Sequence, residues 1–208
     1  MTFLWNWFKW ALLLIPFIAF LDRLKRYFKK YPVTLKKFFS LKQLYWILMS
    51  IQLGIWLVAF LIFYPGTFGA DAPSQLGMVQ GVIPLSTHHP LLHTLIFGNL
   101  ITLTANMFGS PHLGLSIYIL VCQILFTAYA ISKVLCSLYR RNIPAWILIS
   151  TTFFFLAINP FVMALVCYTT KDIPFVAALL LFIVHLVEIL SPDSKKQSFS
   201  YNLGQAFL

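Results

Sequence analysis

Residues 44–64 of this chain read L-Y-W-I-L-M-S-I-Q-L-G-I-W-L-V-A-F-L-I-F-Y, a run without a single charge. At 1.5 Å per residue, a helix of that length covers roughly 30 Å, the thickness of a bilayer's hydrocarbon core. Tyr45, Trp46 and Tyr64 stand at its ends, where aromatic belts belong. The rest of the chain agrees. It is 60% hydrophobic with mean hydropathy +0.85, and only 10% of its residues are charged. These values belong to integral membrane proteins, not to soluble domains.

The net charge of +10 would point to nucleic acid in a soluble protein, but here it is local. Eight of the fifteen basic residues lie between Arg23 and Lys42. Such a cluster marks the cytoplasmic side of a membrane and touches anionic lipid. It lacks any recognition module, so nucleic acid is not an expected partner. Before it, residues 4–20 form a short apolar segment with Trp5, Trp7 and Trp10. The positive charges follow that segment and no small-x-small cleavage site does, which favours an anchor helix over a cleaved signal. Cys122, Cys136 and Cys167 fall inside apolar runs without paired spacing and read as small buried hydrophobes.

With the basic cluster inside, the 44–64 helix delivers residues 64–93 to the outer face. That stretch holds one acid, Asp71, and three of the five histidines, His88, His89 and His93, with no Lys or Arg. Clustered titratable groups at a membrane face mark a candidate site. Asp71 suits a general base or a metal ligand, and equally an N-cap for a short helix over 71–81 with Pro73 in its first turn and Gly81 as its stop. Ser86 or Thr87 is a candidate cap for a second helix starting near Pro90. His89 and His93, four apart, could face one way and hold a metal. Hydrogen bonding of the histidines to phosphate or sugar oxygens is the favoured alternative, and interfacial histidines without a role the bland one.

Residues 91–108 are just long enough to span, yet Thr94, Gly98, Thr102 and Asn106 recur every fourth residue as one weakly polar stripe. Apolar helices are expected over 113–136, over 144–168 with a kink at Asn159-Pro160, and over 173–190. If 91–108 spans, Arg140 and Arg141 face outward, against the positive-inside bias. If it lies on the surface, Arg140, Arg141, Lys195 and Lys196 are all cytoplasmic, and Lys171-Asp172 joins Asp71 on the outer face. The surface reading is favoured. Tyr168-Thr169-Thr170-Lys171-Asp172 also lacks the Gly or Asn of an ordinary turn, which favours a functional loop. His185 and Glu188 are read as a structural couple.

The order of these pieces resembles the multi-spanning glycosyltransferases of the GT-C class, and within them a bacterial branch of membrane proteins. The matching stretches are Y-P-G-T-F-G-A-D-A-P-S-Q-L, T-H-H-P-L-L-H-T, the weakly polar helix ending M-F-G-S, the helix ending S-L-Y-R-R, and I-N-P-F-V-M-A-L-V-C-Y-T-T-K-D. They cover about residues 44–190. The resemblance implies an all-α integral membrane fold with about five transmembrane helices and extracytoplasmic juxtamembrane helices. It implies inverting transfer of a sugar from a polyprenyl-phosphate donor to an envelope glycan or lipid acceptor at the cell membrane. Asp71 matches the first-loop acid, the base. Asp172 matches the second-loop acid. His88 and His89 take the place of contacts to the donor phosphate, joined by His93 and Lys171 as substrate-binding residues. A divalent metal through Asp71 and Asp172 stays open, since the first loop has one acid instead of a pair. The chain is shorter than the family's catalytic unit, which implies a truncated or N-terminal portion. It would comprise an anchor and basic loop (1–43), a catalytic-type region (44–190) and a polar cytoplasmic tail (191–208). The alternative from another class is a non-enzymatic membrane protein, a transporter subunit or envelope-assembly partner.

Overall fold

The computed structural model describes residues 38–190 and, outside them, Arg23 alone. The expected anchor over 4–20, most of the basic loop, and the tail with Lys195 and Lys196 lie outside the described residues. The described residues are helical, with no strand among them. In chain order the helices are α1 (Leu41–Ile62), α2 (Ala72–Val79), α3 (Leu91–Phe108), α4 (Pro111–Arg140), α5 (Ala145–Ala157), α6 (Pro160–Val166) and α7 (Asp172–Ile189).

Helix α1 starts three residues before the expected 44 because Ser40 and Gln43 form a capping box. The Gln43 amide donates to Ser40 Oγ at 3.2 Å, and the Ser40 amide donates to Gln43 Oε1 at 2.9 Å. Four helices, α1, α3, α4 and α7, are long and apolar enough to cross a membrane. The α5–α6 pair makes a fifth if counted as one span, bent by 68° at Asn159-Pro160. That kink was legible from Pro160, and the Asn159 side chain caps α6 by accepting from the Phe161 amide. Such an array is compatible with a multi-pass membrane protein.

Side-chain contacts fix the directions of the helices. At one end, Leu44 and Leu48 of α1 pack with Leu135, Cys136 and Tyr139 of α4 and with Leu148 of α5. Arg140 also meets Glu188 near the end of α7, at 2.9 Å. Glu188 thus takes a guanidinium partner from another helix instead of the expected His185. At the other end, Trp56, Phe60, Leu115, Tyr118, Ile119 and Cys167 form the core. Thr67 pairs there with Tyr168 in a short parallel bridge. The loop after α1 and the loop before α7 therefore share one end of the bundle, and the α4–α5 turn, the start of α1 and the end of α7 share the opposite end.

Helix α3 stands apart. Its first turn reaches Tyr118, through His93, while its later turns lie against Gly114, nearer the start of α4. It therefore runs back along the beginning of α4, away from the end where Arg140 lies. Length and composition qualify it as a span, and its contacts with α4 fall on residues 114–118, before the part of α4 that packs against α1 at the Arg140 end. Its polar stripe does not face water as one strip. Thr94 and Gly98 are buried in the seam with α2 and α4, and Leu92, Leu103, Met107 and Phe108 are more than half exposed. Helix α7 is more extreme: Ala177 is its one buried residue, and Phe175 and Phe182 stand out from the surface. Exteriors this apolar call for lipid or a partner.

Candidate functional site

Two loops a hundred residues apart build the site. Residues 66–71 lie against residues 167–170 by backbone pairing. The Thr67 amide donates to the Cys167 carbonyl at 3.0 Å, and the Thr169 amide donates to the Thr67 carbonyl at 2.9 Å. Side chains tighten the seam: the Gly69 amide donates to Thr169 Oγ1 at 2.6 Å, and the Ala70 amide to the Tyr168 hydroxyl at 2.9 Å. Gly69 is required by the closeness of the two strands of chain, since a Cβ there would run into the Thr169 carbonyl.

This seam brings Asp71 to Lys171. Lys171 Nζ donates to Asp71 Oδ2 at 2.8 Å and lies 3.4 Å from His89 Nδ1, which is itself 3.5 Å from the same carboxylate oxygen. His89 is buried, Lys171 partly so, and Asp71 half exposed. The Lys171 hydrogen bond holds the Asp71 carboxyl below the usual carboxylate range, with the nearby positive charge adding to it.

Asp71 occupies the N-cap position of α2, as expected, but its side chain caps nothing. The second helical residue is Pro73, which has no N–H to offer, and an ammonium is a stronger partner than the remaining amides. Gly81 ends the turn after α2 with positive φ. The expected cap of α3 is also absent: Ser86 Oγ accepts from the His88 amide, and α3 opens after Pro90 without a side-chain cap.

The histidines divide. His89 precedes α3 and turns to Asp71 and Lys171, while His88 stands exposed, its ring edge-on to His89 at 4.9 Å. His93 lies inside α3, stacks on Phe97, and shares a 2.6 Å hydrogen bond between Nε2 and the Tyr118 hydroxyl. His89 and His93 therefore do not share a helical face, and the metal pair suggested by their spacing does not form. Among the described residues no three His, Cys, Asp or Glu side chains converge. Asp172 Oδ2 accepts from Thr170 Oγ1 at 3.0 Å, and Asp71 is occupied by a cation. Asp71 and Asp172 line the same cleft, each with a partner of its own, Lys171 and Thr170.

Two residues with no expected role hold the Lys171 loop from beneath. Tyr118 and Gln123 both donate to the Thr170 carbonyl, at 3.4 and 3.3 Å. They lie in a π-helical stretch of α4, Tyr118–Leu125. In an α-helix, residues five apart point about 140° away from each other. The i→i+5 winding brings them to one side, and such stretches occur often at functional sites. A Gln in an apolar run was the available signal; its winding was not.

Between the loops and α2 lies a cleft of about 160 Å³ lined by Ala70, Asp71, Gln75, Tyr168, Thr169, Thr170, Lys171 and Asp172. Five of the six expected site residues thus gather around one end of the bundle, in contact with this seam or with each other: Asp71, His88, His89, Lys171 and Asp172. His93 is tied to it through Tyr118 and Thr170.

A family model described as a family of unknown function, DUF6020, matches residues 82–203, more than half of the chain. The chain belongs to that family. No curated protein and no solved structure matches it.

Proposed function

We propose that this member of the DUF6020 family is a membrane glycosyltransferase of GT-C type. It would transfer a sugar from a polyprenyl-phosphate donor to an envelope glycan or lipid acceptor, at the extracytoplasmic face of the cell membrane. The observation that carries the reading is the contact of Asp71, Lys171 and His89, from three separate stretches of chain, at one end of an apolar helix bundle. An acid beside two cationic or hydrogen-bonding groups, next to a lipid-facing exterior, is what a phosphate leaving group and an attacking hydroxyl require.

In the resting arrangement Lys171 and Asp71 satisfy each other, and Asp71 is a weak base. Arrival of the donor phosphate gives Lys171 a second anion. Its hydrogen bond shifts from the carboxylate to the phosphate, with His88 and His89 at the rim, and Asp71 is released. The acceptor oxygen then attacks the anomeric carbon from the face opposite the phosphate. The C–O bond to phosphate breaks, polyprenyl phosphate leaves with the bonding pair, and Asp71 takes the hydroxyl proton. Asp172, held by Thr170, keeps the loop in shape at the start of α7, where its charge suits the helix dipole.

The test is transfer from a radiolabelled polyprenyl-phosphate sugar by the purified protein in lipid. Asp71→Asn is expected to abolish transfer while insertion and folding persist. Transfer at the wild-type rate by that variant removes Asp71 as the base.

A second reading, a transporter subunit, is favoured by the 68° break between α5 and α6 and by the buried Gln52–Ser132 pair within the bundle. Sugar or lipid movement across vesicles without any transfer product would select it.

A further inference from the structure

The buried amide of Gln75 is the feature that neither the ion pair nor the loop seam uses. Gln75 is 1% exposed, lines the cleft beside Asp71, and its Nε2 has no hydrogen-bond partner. A buried amide left without a hydrogen bond bears the cost of leaving water with nothing in return, so such a group calls for an explanation. The other polar side chains of the cleft have partners: Thr170 Oγ1 donates to the Asp172 carboxylate, and Lys171 Nζ donates to the Asp71 carboxylate.

The charges decide which ligand fits. Two carboxylates, Asp71 and Asp172, face one ammonium, Lys171, so the cleft wall carries a net negative charge. A phosphate inside it would meet like charge. Hydroxyl groups would not: they donate to the carboxylates and accept from the Gln75 amide and from Lys171. The volume, about 160 Å³, falls below the several hundred Å³ of drug-sized sites and suits one ring, not a chain.

We propose that this cleft is a subsite for a single neutral sugar ring, with Gln75 Nε2 as the donor that orients one of its hydroxyls. The inference deepens the glycosyltransferase reading and rests on it for the chemistry. The ring lies in the cleft and the phosphate stays outside it, on the side of Lys171 that meets His89. Gln75 is then a specificity-determining residue, since a buried donor without its hydroxyl is left unpaired.

Ligand-observed saturation-transfer NMR tests this on the full chain in lipid nanodiscs free of sugar-headed detergent. The probes are glucose, galactose, mannose and N-acetylglucosamine, with inorganic phosphate and ethylammonium as charged competitors. At least one neutral sugar is expected to receive saturation, and neither charged probe to displace it. Gln75→Leu, which keeps the shape without the donor, is expected to weaken binding roughly tenfold. No saturation of any sugar, displacement by phosphate or ethylammonium, or undiminished binding in Gln75→Leu each overturns the proposal. If Gln75→Leu does not fold, the wild-type competition alone still decides. Binding without any transfer activity would sink the enzyme reading and leave the subsite; transfer without sugar binding in the cleft would do the reverse.

Discussion

At the scale of single residues, magnitudes separate a structural ion pair from a functional one. Asp71 is half exposed, and an exposed pair contributes less than about 1 kcal/mol. Asp71→Asn should therefore shift the thermal unfolding midpoint only slightly, and a loss of transfer in it would reflect chemistry, not unfolding. The pH dependence has a definite sign. The Asp71 pKa is lowered in the folded protein, so the pair's contribution is present above the unfolded value, near 4, and is lost as pH falls through the folded value below it. The difference in stability between wild type and Asp71→Asn should be constant above about pH 5 and should shrink below about pH 4; an acid titration of both proteins checks this. Lys171→Met removes the group that lowers the pKa. The acid limb of the pH–rate profile should then move upward in pH, even as the rate falls for want of a phosphate contact.

At the scale of elements, small residues set how closely the pieces approach. A Cβ on Gly114 would run into Thr104, Ile101 and the Leu100 carbonyl, so Gly114 is where α3 lies against α4. Gly114→Val should cost about 1–3 kcal/mol by overpacking. It should also loosen the His93–Tyr118 contact, and hydrogen exchange of the α3 amides would then rise. Gly69→Ala meets backbone, not a flexible side chain, and should part the two loops and expose Asp71 and Lys171 to solvent. Enhanced reactivity of Lys171 toward an amine reagent measures that separation. The same elements show how far a linear reading goes. The span over 44–64, the short helix after Asp71 and the kink at Pro160 follow from local chemistry and were legible. The start of α1 was legible too, in S-L-K-Q, but only to a reading that looked for the capping box. The π winding over Tyr118–Leu125 has no local marker, because it depends on what the helix packs against.

At the scale of the whole molecule, the path of α3 decides whether a site exists. If α3 begins and ends at one end of the bundle, the loops carrying Asp71 and Lys171 open to the same side of a membrane. In a background with Cys122, Cys136 and Cys167 replaced, Ser74→Cys and Thr170→Cys should both react with an impermeant thiol reagent on intact cells. Arg141→Cys should react only after permeabilisation. Labelling of Thr170→Cys from the inside would separate the two acids by a membrane and end the enzyme proposal. The sequence by itself determined that the chain builds apolar helices, where most of them lie, and that its titratable groups concentrate in two short stretches, because hydropathy, aromatic ends and proline act over a few residues. Only the tertiary structure decided that Asp71 holds Lys171 instead of capping α2, that His89 and His93 part ways, and that Gln75 is buried against an open cleft. Those outcomes depend on partners elsewhere in the chain, 100 residues away for Asp71 and 25 for His93, and no local pattern encodes which partner a side chain will meet.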